Sequence, residues 1–167
     1  MTQDTEVLDA PAGDTASAEG RYKQYVTFLI GDRSYAVEIV RVLEIKQWSP
    51  TTALPNQPNH MRGVLNLRGT VVPVHDLHVM FGGPLTEATE NHVVVIIRVG
   101  DQTLGILVDA VSDIITVDSE DLRPVPSSSG NTREIAAISN LVAHDDGMVA
   151  LIDLDRLFEA HEAPIDR

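Results

Sequence analysis

The chain contains no cysteine. That excludes disulfides, thiolate nucleophiles and cysteine-based zinc or iron–sulfur sites. Aromatic residues make up only 4% of it, so the core has to be built from aliphatic side chains, and the many Val and Ile among them favour strands. Basic residues are also scarce, with 12 Lys and Arg against 25 Asp and Glu and a formal net charge of −13. Nucleic-acid binders gain affinity by neutralising phosphates, and anionic membranes attract polybasic segments, so this charge argues against both. The longest strongly apolar run, Val93–Ile97, is far shorter than a membrane span. No basic, then apolar, then small-residue leader opens the sequence. The expectation is a cytoplasmic protein.

Residues 1–20 carry Asp4, Glu6, Asp9, Asp14 and Glu19 and no Lys or Arg. They show no periodicity and read as a disordered acidic tail. Residues 159–167 read as a frayed end, and 21–158 as the folded part. Within it, apolar runs alternate with turn signals. Tyr25–Ile30 and Ser34–Val37 flank Gly31-Asp32; Gly63–Leu67 and Thr70–His75 flank Arg68-Gly69. His92–Val99 and Thr103–Val108 flank Gly100-Asp101, and Ile135–Val142 and Met148–Asp153 flank a third kind of turn, Asp145–Gly147. Hairpins of this kind predict an all-β fold with short helical turns at Ile39–Glu44, Leu77–Phe81 and Leu154–Phe158. Pro73 inside a strand points to an edge or a bulge. Pro124–Asn131 reads as a loop.

The sequence repeats itself once. Gly31–Ile45 aligns with Gly100–Ile114 through identities at Gly31/Gly100, Asp32/Asp101, Val42/Val111 and Ile45/Ile114. Val71–Phe81 aligns with Met148–Phe158 through Val72/Val149, Asp76/Asp153, Leu77/Leu154 and Phe81/Phe158. Gly63–Leu67 echoes Ala137–Leu141. Two copies are too few for a solenoid. They predict two lobes, about 25–81 and 92–158, built as small five-stranded barrels side by side, with strands open to exchange between them.

The blocks Phe28–Asp32, Tyr35–Val37, Val42–Ile45, Arg62–Leu77 and Gly105–Ile114 resemble the chemotaxis coupling protein (CheW) family. The family reads close to G-V-x-N-L-R-G-x-V-x-P-V-x-D-L across the fourth block. The resemblance implies two SH3-like barrels with a shared core and no catalytic activity or cofactor. It implies two partners, the regulatory domain of a CheA-type histidine kinase and the cytoplasmic hairpin tips of chemoreceptors. It places the protein in the cytoplasm beside membrane receptor arrays. Couplers of related chemosensory pathways, such as pilus-based motility, share these features.

Arg68, in a turn beside Gly69, matches an arginine that the family presents to receptor and kinase. Glu44 is its natural counter-charge. Val42 and Ile45 are candidate walls of a groove for a receptor helix. Gly63 permits a close backbone approach, and Asn66 is placed to hydrogen-bond the turn.

A competing reading is a metal- or ligand-binding barrel using His75 and His78, with Asp76 orienting one of them. Asp76 has the repeat partner Asp153 without a histidine beside it, which favours a helix cap. His60, His92, His144 and His161 are scattered. No phosphate loop, nucleophile elbow or HExxH is present.

Overall fold

A computed structural model describes residues 20–126, 132–145 and 147–162. Most of the acidic tail, the tip of the Pro/Ser loop and the last five residues lie outside the described residues. The elements run β1 (Tyr22–Ile30), β2 (Arg33–Glu38), β3 (Val42–Gln47), β4 (Met61–Leu67), β5 (Thr70–Asp76), α1 (Leu77–Met80), β6 (Val93–Val99), β7 (Gln102–Val108) and β8 (Ala110–Asp118). They continue with α2 (Thr132–Ala137), β9 (Ile138–His144), β10 (Gly147–Ile152) and α3 (Leu154–Glu162). Short 3-10 turns occupy Ile39–Arg41 and Ser119–Asp121.

The strands form two five-stranded sheets with the orders β8-β1-β2-β10-β9 and β3-β6-β7-β5-β4. Substituting each strand by its repeat partner turns one order into the other. The first hairpin of each half is exchanged, so β1-β2 lie among strands of the second half and β6-β7 among strands of the first. Register obeys the same symmetry. Leu151 pairs in parallel with Ala36, as Val74 does with Gly105. The β8–β1 ladder slips at Ser112, as the β3–β6 ladder does at Leu43. Isolated bridges, Thr52 to Val64 and Arg123 to Leu141, also correspond.

Each sheet has the SH3-like order without closing into a barrel: the ladders end at β3 and β4 in one and at β8 and β9 in the other.

The run Val93–Ile97 fails to alternate because β6 is buried on both faces. Val95 and Ile97 enter a core shared by the two sheets, while Val94 and Ile96 enter a smaller core on the other face of their own sheet. The opposite sheet has its own small core around Tyr25, Val149 and Leu151. The few aromatics are concentrated in the shared core, where Phe28, Tyr35, Phe81 and Phe158 meet the helices. Tyr35 lies 6.2 Å from Phe28 and 5.1 Å from Phe81, ring centre to ring centre.

Five local expectations are corrected. Only Ile39–Arg41 is helical in the segment Ile39–Glu44; from Val42 it is strand. Ile135 belongs to α2, and its strand starts at Ile138. The echo between Gly63–Leu67 and Ala137–Leu141 is three residues out of register, since Leu65 opposes Val72 as Val142 opposes Val149. Pro73 lies on an interior strand. Its pairing with β7 begins only at Val74, so no partner on that side needs the N–H that proline lacks. At the C-terminus, α3 extends through Glu162, beyond the point where the sequence reads as frayed.

Candidate partner-binding site

The two-residue connection Arg68-Gly69 joins β4 and β5, with Leu67 opposite Thr70. Both residues have positive φ, 52° and 90°, the backbone of a type I′ hairpin turn. Asn66 Oδ1 accepts the Gly69 N–H at 2.7 Å and holds the turn. The turn sends Arg68 into solvent, with its side chain 72% exposed, where Nη2 donates to Glu44 Oε1 at 2.7 Å. Glu44 lies on β3, the far edge of the same sheet, and its side chain is 27% exposed. The ion pair therefore spans the open seam between the two edge strands. Lys46 adds a second cation 3.9 Å from Glu44. At the equivalent places on the other sheet stand Asp145, with a φ of 54°, and Asp113, so the two seams differ in charge.

The carboxyl of Glu44 is held below its ordinary value of 4.5, first by the hydrogen bond from Arg68. A lowered value means the pair is complete above pH 4.5 and is lost as pH falls through the lowered value. A side-chain carbon NMR titration is expected to give a midpoint below 4.5 for Glu44, and Arg68→Ala is expected to move it upward. An unchanged midpoint in that variant would show that the hydrogen bond does not form in solution.

Below the ion pair, Thr52 and Val64 exchange two backbone hydrogen bonds, 2.9 and 2.8 Å long. Gly63 makes this approach possible. Its φ is +120°, and a Cβ there would lie 2.4 Å from the Thr52 carbonyl oxygen. A shallow cavity of about 400 Å³ opens along the seam between Lys46, Pro50, Val64, Asn66 and Val71. Ile45 is 45% exposed on the outer face of β3, with Leu43 and Val40 also exposed nearby. Val42 is half-buried and packs against the shared core. The structure thus brings Arg68, Glu44, Asn66 and Gly63 together at one seam, leaves Ile45 outward on its edge strand, and turns Val42 mainly to the interior. The sequence reading missed Val71, 67% exposed. Its signal is the alternation in Thr70–Asp76, which puts Val72, Val74 and Asp76 inward and Val71 outward.

The histidine reading is rearranged. His78 does not face His75: its ring edge lies against Gly83, and its N–H donates to Asp76 Oδ1 at 3.1 Å. His75 instead meets His60, with Nδ1 atoms 3.1 Å apart. Asp76 and Asp153 both cap the helices that follow them, accepting from His78 and Arg156 N–H. Among the described residues, no group of three or more His, Asp or Glu could hold a metal ion. No helix among them is long and apolar enough to cross a membrane.

A family model for the CheW-like domain matches residues 24–162. The chain is 41% identical over 142 residues to a probable chemotaxis protein CheW of Rhizobium etli, spanning 84% of this chain and 90% of that protein. It is 33% identical over 151 residues to a chemotaxis protein CheW of Klebsiella aerogenes, spanning 90% and 87%. The crystal structure of the scaffolding protein TtCheW from Thermoanaerobacter tengcongensis superposes with a TM-score of 0.74 at 30% identity, covering 82% of this chain and 92% of that one.

Proposed function

The chain belongs to the CheW-like family, and from that we propose that it is a chemotaxis coupling adaptor that holds the regulatory domain of a CheA-type histidine kinase against the cytoplasmic hairpin tips of chemoreceptors. The observation that carries this reading on the chain itself is the Arg68–Glu44 pair across the open seam, exposed beside outward apolar Ile45 and Val71. A guanidinium offers a planar fork of donors, and one already oriented by a carboxylate loses less freedom when a partner is added. Exposed apolar side chains on the edge strand supply area to bury, and arginine is enriched among the residues that dominate interface energetics.

The adaptor acts by geometry and needs no catalytic group or cofactor. Its two sheets share one core, so surfaces on the two lobes are fixed relative to each other. A receptor movement felt on one surface is passed to the kinase on another and biases the kinase's equilibrium. Several modest interfaces in one array raise effective concentration and act together. The adaptor works in the cytoplasm, beside the receptors' inner ends.

The test is calorimetry of the chain against the regulatory domain of a CheA-type kinase from the same organism, and pull-down with receptor hairpin fragments. Arg68→Ala and Glu44→Lys are expected to weaken binding to one of these partners about tenfold or more, while the melting temperature stays close to that of the unsubstituted chain. The pair is exposed, and exposed pairs add little to stability. Unchanged affinity for both partners would remove the seam from the interface, and no binding to any such kinase would overturn the adaptor reading.

A further inference from the structure

The internal repeat provides a reference for what the fold requires at each position. Asp76 N–H donates to the carbonyl of His60, and Asp153 N–H donates to that of Ala137 at 2.8 Å. His75 precedes Asp76 as Ile152 precedes Asp153. His60 and His75 therefore stand where the second half has Ala137 and Ile152, both buried in the shared core. The fold is satisfied there by a small and a branched apolar side chain, and the first half carries two imidazoles instead. Such a local departure from an otherwise consistent pattern is where a function is expected.

The two Nδ1 atoms are 3.1 Å apart, the rings are 5.1 Å apart between centres and inclined by 29°. His75 also meets Phe158 edge-on at 5.1 Å. In the metal-free pair, one Nδ1–H donates to the other Nδ1, and two imidazolium ions at this spacing would repel. An ion bound to imidazole nitrogen at about 2.0–2.1 Å would see this pair at an angle of about 95–102°. That suits two adjacent positions of a square-planar or octahedral ion, and a narrowed tetrahedral one. Imidazole selects zinc, nickel and copper over magnesium and calcium.

We propose that His60 and His75 form a binding site for a divalent first-row ion of this borderline class, zinc, nickel or copper. Both rings are partly exposed, so the ion enters from solvent. Two imidazole nitrogens make an exchangeable site and not one on which folding depends. The ion ties the end of the 48–60 segment to β5; the same segment carries Thr52 across the seam.

The test is calorimetric titration of the full chain, stripped with chelator, with zinc, nickel and magnesium chloride in turn. One equivalent of zinc or nickel is expected to bind, and magnesium not at all. His60→Ala and His75→Ile install the residues of the second half and so keep the fold. Each is expected to weaken binding about tenfold or more, while His78→Ala leaves it unchanged. Nitrogen NMR of the unsubstituted chain should show zinc moving the Nδ1 signals of His60 and His75. Affinity that survives both histidine variants, loss of binding in His78→Ala, or Nδ1 signals that stay in place would each overturn the assignment.

Discussion

Asp76→Ala is expected to cost about 3–5 kcal/mol, because it leaves a buried cation without its counter-charge. Asp76 is fully buried. One carboxylate oxygen accepts the His78 N–H at 3.1 Å and the Thr86 hydroxyl at 2.8 Å. The other accepts the Thr86 N–H at 2.8 Å and Arg62 Nη1 at 3.1 Å. Arg62 is largely buried, its side chain 17% exposed, and lies over the Trp48 ring at 5.4 Å. Removing the carboxylate takes an acceptor from all four donors; among the described residues the guanidinium keeps the Thr86 carbonyl at 2.6 Å and the indole face. Against a typical domain stability of about 5–15 kcal/mol, the loss should lower the melting temperature by ~10 °C or more. Asp153→Ala is the control. It removes the equivalent cap from a side chain that is about a third exposed, at a cost of about 1 kcal/mol. Equal costs in urea denaturation would mean that Asp76 is only a cap. Arg62→Met added to Asp76→Ala should recover part of the loss, since the isolated charge is then gone.

Gly63→Ala is expected to cost about 3–5 kcal/mol, from a backbone conformation that L residues rarely adopt and from overpacking. The new Cβ would lie 2.4 Å from the Thr52 oxygen and 2.8 Å from its carbonyl carbon, at a φ of +120°. Both are backbone atoms, so the clash can be relieved only by moving Thr52 off Val64 and breaking the bridge across the seam. Gly69→Ala separates the two terms. Its φ is +90° and nothing lies within 4 Å of the added atom, so only the conformational cost of about 1–3 kcal/mol applies. Thermal melts of the two variants should differ by several degrees, with Gly63→Ala the lower. If they coincide, the close approach of Thr52 carries no cost of its own. Because Gly63 also shapes the seam, its variant should weaken partner binding even at temperatures where it stays folded.

The strands were legible where turn chemistry was explicit. Gly31-Asp32, Arg68-Gly69 and Gly100-Asp101 each punctuate two runs, and each closes a two-residue hairpin. The repeat was legible because its identities fall at structural necessities: Asp76 and Asp153 cap helices, and Val72 and Val149 face the two small cores. β3 was misread because its exposed positions carry Leu43 and Ile45 while Glu44 and Lys46 are half-buried, so Ile39–Ile45 reads as a dense apolar cluster that imitates a helix. α2 was misread because Ile135, Ala136, Ala137 and Ile138 form an unbroken apolar stretch that suits either element. Periodicity marks which face of a strand is buried but not which strand lies beside it, so exchange of the hairpins was left open. The Arg68–Glu44 pairing was accessible from charge. The meeting of His60 with His75 was not, since it depends on how a loop end sits against β5.

The exchanged hairpins also bear on how the chain is made. A ribosome delivers β1 and β2 first, but their sheet neighbours are β8 and β10. At about 5–20 residues per second, roughly 6–23 s pass between the emergence of β2 and that of β10. Through that interval the apolar faces of Phe28, Tyr35 and Val37 have no finished core to enter, and the hairpin's edges are open to other chains. The first half cannot settle before the second is nearly complete, so nascent chains should be most vulnerable to aggregation, and most dependent on holding factors, until the last hairpin clears the exit tunnel.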